Sequence, residues 1–88
     1  MTDVSFFRLV KETVLQYANS HLDPTDVVQL TEDDIYIVWC CKSLQNWKAL
    51  ASTKLPDGMY YELTLNGDRN ELYLDAYKKF ENRKINLQ

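Results

Sequence analysis

The sequence predicts an α+β domain in the order α-β-β-β-α, a three-stranded antiparallel meander with two helices on one face. Three observations carry this expectation. Apolar residues recur at helical spacing near both ends, the middle third is rich in β-branched and aromatic residues, and short polar turns separate its segments. An 88-residue chain has room for a single domain, residues 1–88, and its 45% hydrophobic content suffices for a modest core.

The first helix is read from Phe7, Val10, Val14, Tyr17 and Ala18, with Arg8, Lys11, Glu12, Gln16 and Asn19 facing away. Asp3 is the expected N-cap, and Pro24 restricts Asp23, so the helix should stop near Leu22. Residues 23–34 form a polar, acidic connection in which Val27, Val28 and Leu30 are expected to touch the core.

Strands are expected over Ile35–Lys42, Trp47–Thr53 and Met59–Leu65. Pro56-Asp57-Gly58 has the chemistry of a turn: Pro fixes φ, Asp accepts a local hydrogen bond and Gly tolerates positive φ. For the last segment, Asp68-Arg69-Asn70-Glu71 resembles a capping box, and Leu72, Tyr73, Ala76, Tyr77 and Phe80 make a helical stripe. A second helix is therefore predicted from about Asp68 to Lys84. The alternative is a short fourth strand at 71–75, favoured by Asn66-Gly67 and by the alternation of Leu72, Leu74 and Ala76.

Composition narrows the function classes. Met1-Thr2-Asp3-Val4-Ser5 shows no basic stretch followed by an apolar run, and the longest apolar block, Ile35–Cys41, is far short of the roughly 20 residues of a membrane helix. A cytoplasmic protein without membrane contact is expected. Cys40 and Cys41 are adjacent in a strand, where side chains diverge, so free, buried thiols in a reducing compartment are expected.

No cofactor is expected. Zinc needs paired short-spaced ligands that Cys40, Cys41 and His21 do not supply, and Glu32-Asp33-Asp34 lacks the alternation and central Gly of a calcium loop. His21, the single histidine, reads as a surface residue at a helix end, where a positive charge suits the helix dipole. Gly58 and Gly67 are isolated in turns, so no phosphate loop can form, and no G-x-S-x-G motif is present. The chain is not expected to be an enzyme.

Binding is the remaining class. The net charge of −3 divides unevenly, −5 over residues 1–34 and +2 over residues 35–88. An acidic patch (Asp23, Asp26, Glu32, Asp33, Asp34) precedes the first strand, and a basic patch (Lys78, Lys79, Arg83, Lys84) lies near the other end. The predicted order matches that of the double-stranded-RNA-binding fold, but the place of that module's basic cluster holds Asp68, Arg69, Asn70 and Glu71. Nucleic acid is thus the lesser expectation, carried by the basic, aromatic final helix.

If Ile35, Ile37, Trp39, Trp47, Ala49 and Ala51 face the helices, strand parity sends Tyr36, Val38, Leu50, Tyr60 and Glu62 to the other face, with Cys40 and Thr64. That face is more apolar than solvent requires and is the expected partner-binding surface. The alternative is that the connection 23–34 folds over it.

Several stretches taken together resemble a known family: Asp34–Trp39, Lys42–Leu50, Pro56–Glu62 and Leu72–Asn82. The chain is similar, from about residue 4 to residue 85, to small proteins without an assigned function encoded by tailed phages and prophages of Gram-positive bacteria such as streptococci and lactococci. The resemblance implies a small accessory protein that binds and modulates a host or phage protein, or one that assists phage DNA metabolism. It implies no functional residue. The resulting expectation is a protein-binding module, with a homodimer as one form of it.

Overall fold

The computed structural model describes residues 1–22 and 29–88. Among them are one helix, α1 (Asp3–Ser20), a 3-10 turn (Glu32–Asp34) and four strands, β1 (Ile35–Ser43), β2 (Asn46–Thr53), β3 (Met59–Asn66) and β4 (Glu71–Lys78). The strands form one antiparallel sheet in the order β1-β2-β3-β4, and α1 packs on one face of it. The architecture is α+β as expected, with one helix fewer and one strand more. Asp23, Asp26, Val27 and Val28 lie outside the described residues.

Helix α1 is capped one residue earlier than expected. Ser5 N–H donates to Thr2 Oγ1 at 3.2 Å and Thr2 N–H donates to Ser5 Oγ at 2.8 Å, a reciprocal box that satisfies two otherwise orphaned donors. Asp3 instead supplies negative charge to the first turn. The buried row is Phe6, Val10, Val14 and Ala18, an unbroken i,i+4 series, and Phe7 is turned toward solvent. Phe6 stacks on Trp47 at 5.0 Å between ring centroids, and Tyr17 meets Tyr61 edge-on at 5.6 Å.

Ala49 and Ala51 form a floor of small side chains on β2, and their full burial reflects how closely α1 approaches that strand. Ile35, Leu63 and Leu65 complete the core. Leu30 is buried beside the helix end, where its N–H and C=O are both bonded by the Asn19 side chain, at 3.0 and 3.2 Å. This part of the connection is therefore tied to α1 on the helix-bearing side of the sheet.

The predicted second helix is absent, and its reason lies in a turn. Asn66 Oδ1 accepts from Asp68 N–H and Arg69 N–H at 3.1 and 3.3 Å, and Asn70 closes the turn at φ 54°. Gly67 N–H donates to Asn46 Oδ1 at 3.0 Å, and a Cβ on Gly67 would collide with the Gln45 carbonyl oxygen. The tips of the two hairpins thus touch at a point that only glycine permits. Hairpin chemistry overrides the helix propensity that follows, and the 71–75 strand alternative grows to Glu71–Lys78. Leu72, Leu74 and Ala76 then fall opposite Leu65, Leu63 and Tyr61 on the helix-bearing face. Residues 79–88 have no regular secondary structure, so Lys79, Arg83 and Lys84 do not share a helical face with Lys78.

A second departure concerns parity. Ile37 pairs with Ala51 and Trp39 with Leu50, so Val38 is an extra residue, a β-bulge. Beyond it, the alternation inverts: Trp39 joins the outer face, and Cys40 packs toward the core opposite Ala49. Both thiols are free, as expected, but the expected burial fails: Cys41 is exposed, and Cys40 is only half-buried, its thiol pushed up by that burial, then by Cys41 and Asp3.

Two predictions follow from this backbone. Leu44, exposed in the β1–β2 turn at φ 56°, sits where a side chain is strained, so Leu44→Gly is expected to raise stability by about 1 kcal/mol in urea denaturation. The bulge separates the two tryptophans, Trp39 being 42% exposed and Trp47 5%. Trp47→Phe should leave red-shifted emission readily quenched by iodide, whereas Trp39→Phe should leave blue-shifted, protected emission. Equal protection in the two variants would contradict the parity inversion.

Candidate interaction surface

The sheet's outer face, opposite α1, is left open by the packing of the described residues. Register across the four strands arranges it in rows. One row runs Tyr36, Ser52, Tyr60, Tyr77, the next Trp39, Leu50, Glu62, Asp75, and the third Cys41, Lys48, Thr64, Tyr73. Tyr36, Val38, Trp39, Tyr73 and Tyr77 are all exposed, and Leu50, Tyr60 and Glu62 are half-buried between them. The five expected surface residues, Tyr36, Val38, Leu50, Tyr60 and Glu62, therefore do share this face, with Val38 at the bulge.

Three aromatic residues were not legible as members of it. Trp39 arrives through the bulge, which leaves no mark in the pattern of the strand. Tyr73 and Tyr77 arrive because β4 is a strand, and the signal for that was the Asn66-Gly67 pair together with the alternation of Leu72, Leu74 and Ala76. Cys40, placed on this face by simple alternation, is on the other one.

The charge of the surface is acidic. Lys48 reaches Glu62 at 3.4 Å, and Glu62 lies directly opposite Asp75, a like-charge pair that the lysine partly offsets. At the rim, Tyr73 Oη donates to Glu71 Oε2 at 2.6 Å, which raises the Tyr73 pKa because the bond favours the neutral phenol. Glu62, Asp75 and Glu71 stand against the single cation Lys48 on these strands' outer side.

The two charged patches are dispersed. Of the acidic set, Asp23 and Asp26 lie outside the described residues, and Glu32, Asp33 and Asp34 form the 3-10 turn that enters β1. Asp34 is structural: its carboxylate accepts Thr31 N–H at 2.8 Å and binds Lys54 Nζ at 3.0 Å. The Thr31 hydrogen bond, then Lys54, lowers its pKa from the ordinary 3.8. Of the basic set, Lys78 ends β4, Lys79, Arg83 and Lys84 are exposed beyond it, and Arg83 pairs with Glu81 at 2.8 Å.

His21 stacks on Tyr17 at 4.1 Å, with Nδ1 2.8 Å from the Tyr17 carbonyl and 3.0 Å from Ser20 Oγ. It borders a cavity of about 240 Å³ lined also by Leu22, Leu55, Asp57, Met59 and Tyr61. Burial, then Asp57 and Tyr17, raises the Tyr61 phenol, which favours its neutral form there. Among the described residues, no three His, Cys, Asp or Glu side chains converge as a metal site would require. No helix of the described residues is long and apolar enough to cross a membrane.

Because folding lowers the Asp34 pKa, its contribution to stability is present above 3.8 and is lost as pH falls through the folded-state value. Asp34→Asn should therefore lower the urea midpoint at neutral pH, and the gap to the unmodified protein should close well below pH 3.8.

Nothing among curated proteins or solved structures matches the chain. A family profile does match, over residues 7–87 and thus across all four strands and most of α1. On that match the chain belongs to a family of unknown function, DUF6275.

Proposed function

We propose that the protein is a phage- or prophage-encoded binding module of Gram-positive bacteria that acts in the host cytoplasm by engaging a protein, of host or phage origin, through the open face of its sheet. The observation that carries this reading is the cluster Tyr36, Trp39, Leu50, Tyr60, Tyr73 and Tyr77 on one side of one sheet. Aromatic side chains supply large contact area at low entropic cost and are enriched at the centres of protein interfaces. A face of this kind, left uncovered by the described residues, commonly marks a partner site. No catalytic role is proposed.

Charge separates this reading from its rival. A nucleic-acid helper would stack bases on the same aromatic residues, as single-strand platforms do. Glu62, Asp75 and Glu71 would then face phosphates, and the basic residues Lys79, Arg83 and Lys84 lie outside the sheet. Carboxylates among aromatic side chains suit a partner with lysine or arginine at its rim, and they oppose a polyanion.

The test is capture from a Gram-positive host lysate with tagged protein, with and without nuclease, beside Tyr36→Glu and Leu50→Lys. Both substitutions are on the outer face, and circular dichroism checks that each variant folds. The expected result is one dominant protein that survives nuclease and moderate salt and is depleted at least about tenfold by either substitution. Retention of the same protein by both variants would overturn the assignment of the face. Recovery of nucleic acid, with affinity falling steeply as salt rises, would overturn the class of partner.

A further inference from the structure

Strand β4 is an edge of the sheet whose protection is charge, through Glu71, Asp75 and Lys78, rather than backbone irregularity. It contains no proline and no bulge, whereas the opposite edge, β1, is interrupted at Val38. It also does not stop cleanly. Lys79 N–H donates to the Gly58 carbonyl at 2.7 Å, continuing the β3–β4 ladder by one residue into the arm 79–88. That arm is exposed throughout, with Phe80 wholly in solvent. On β4 itself Leu72 and Leu74 are half-covered and Ala76 is exposed. An edge with unpaired backbone groups that runs into an exposed apolar arm is a template for another strand.

Sequence chooses that strand. When the segment 71–83 is laid antiparallel against a second copy of itself, with Tyr77 facing Tyr77 across the twofold axis, every pair keeps the correct face. Glu71 then falls opposite Arg83, Asp75 opposite Lys79, Tyr73 opposite Glu81 and Leu74 opposite Phe80. Each of these contacts occurs twice by symmetry. The hydrogen-bonded pair Tyr73–Glu71 thereby meets the ion pair Arg83–Glu81 of the second copy with opposite charges apposed.

The register is selective. Sliding by two residues, the smallest shift that preserves the faces, places Glu71 opposite Glu81 in one direction and Asp75 opposite Glu81 in the other, which cross-strand pairing disfavours. We propose that two copies of this chain associate through β4 and the arm in this register, joining their sheets into one eight-stranded sheet across a twofold axis. The interface uses the sheet's edge and does not rest on the partner-binding reading of its face. It leaves the two aromatic faces side by side and gives Phe80 a neighbour in Leu74 of the second copy.

Charge exchange tests it. Asp75→Lys and Lys79→Asp each create two like-charge contacts in the dimer and should raise its dissociation constant about tenfold or more. The double variant restores opposite charges and should recover the original value. Within one chain these residues are four apart on an extended strand, about 13 Å, so rescue cannot arise internally. Analytical ultracentrifugation across a concentration series reads the constant, and circular dichroism checks folding. As a second measurement, Tyr77→Cys in a Cys40→Ala, Cys41→Ser background should form a disulfide-linked dimer on mild oxidation, and Tyr73→Cys should not. A monomer at every concentration reached, a double variant no tighter than the single ones, or equal cross-linking at both positions would overturn the proposal.

Discussion

Phe6 stacked on Trp47 above the alanine floor of β2 is the contact on which the rest of the packing depends. Ala49 and Ala51 lower the sheet surface under the helix, so α1 settles over β1 and β2 and reaches β3 through Tyr17. A helix roughly 10 Å across covers about two strands spaced about 4.8 Å apart, so four strands exceed what one helix can bury. The shortfall appears where this geometry puts it. Leu63 and Leu65 on β3 are buried, while Leu72 and Leu74 on β4 are half-covered and Ala76 is open. The half-covered β4 edge and the position of α1 are one fact seen from two sides.

Much of this was legible in the residues. The first three strands are found within a residue or two of their expected ends, the Pro56-Asp57-Gly58 turn has Gly58 at φ 70° and Asp57 Oδ1 accepting Met59 N–H, and α1 spans its predicted range to within two residues. What misled was residue type in the last segment. Leu, Tyr, Ala and Lys satisfy a helical stripe and a strand alternation alike over so short a window, and only the turn before them decides. That turn works through a tertiary contact, Gly67 against Gln45, which local pattern does not contain. The helical face was read correctly at Val10, Val14 and Ala18 and missed at its first member, because Phe6 and Phe7 are the same residue type and differ only in what lies across from them.

The outer face shows the same limit in a sharper form. Alternation correctly grouped Tyr36, Leu50, Tyr60 and Glu62, because each lies on a strand, or a part of one, with unbroken period two. It failed at Val38, where one unpaired residue exchanges the roles of Trp39 and Cys40. The exchange has a physical logic. The space opposite Ala49 lies under the helix and takes a small thiol more readily than an indole, and moving Trp39 outward adds the bulkiest side chain of the surface on its β1 side. Core fit and surface character are set together by that single insertion.

The simple order of the sheet governs how the chain finds its fold. Each strand pairs with its immediate neighbour in sequence, so sheet assembly needs only successive hairpin closures, events of about 1–10 μs each. Contacts of this kind keep the contact order low for a β-rich protein and favour rapid collapse. The one long-range step is the return of α1 across residues 21–34 onto β1 and β2. Until that docking occurs, a zipped sheet has both of its faces bare, so the lifetime of the undocked sheet sets the window in which the nascent chain can aggregate.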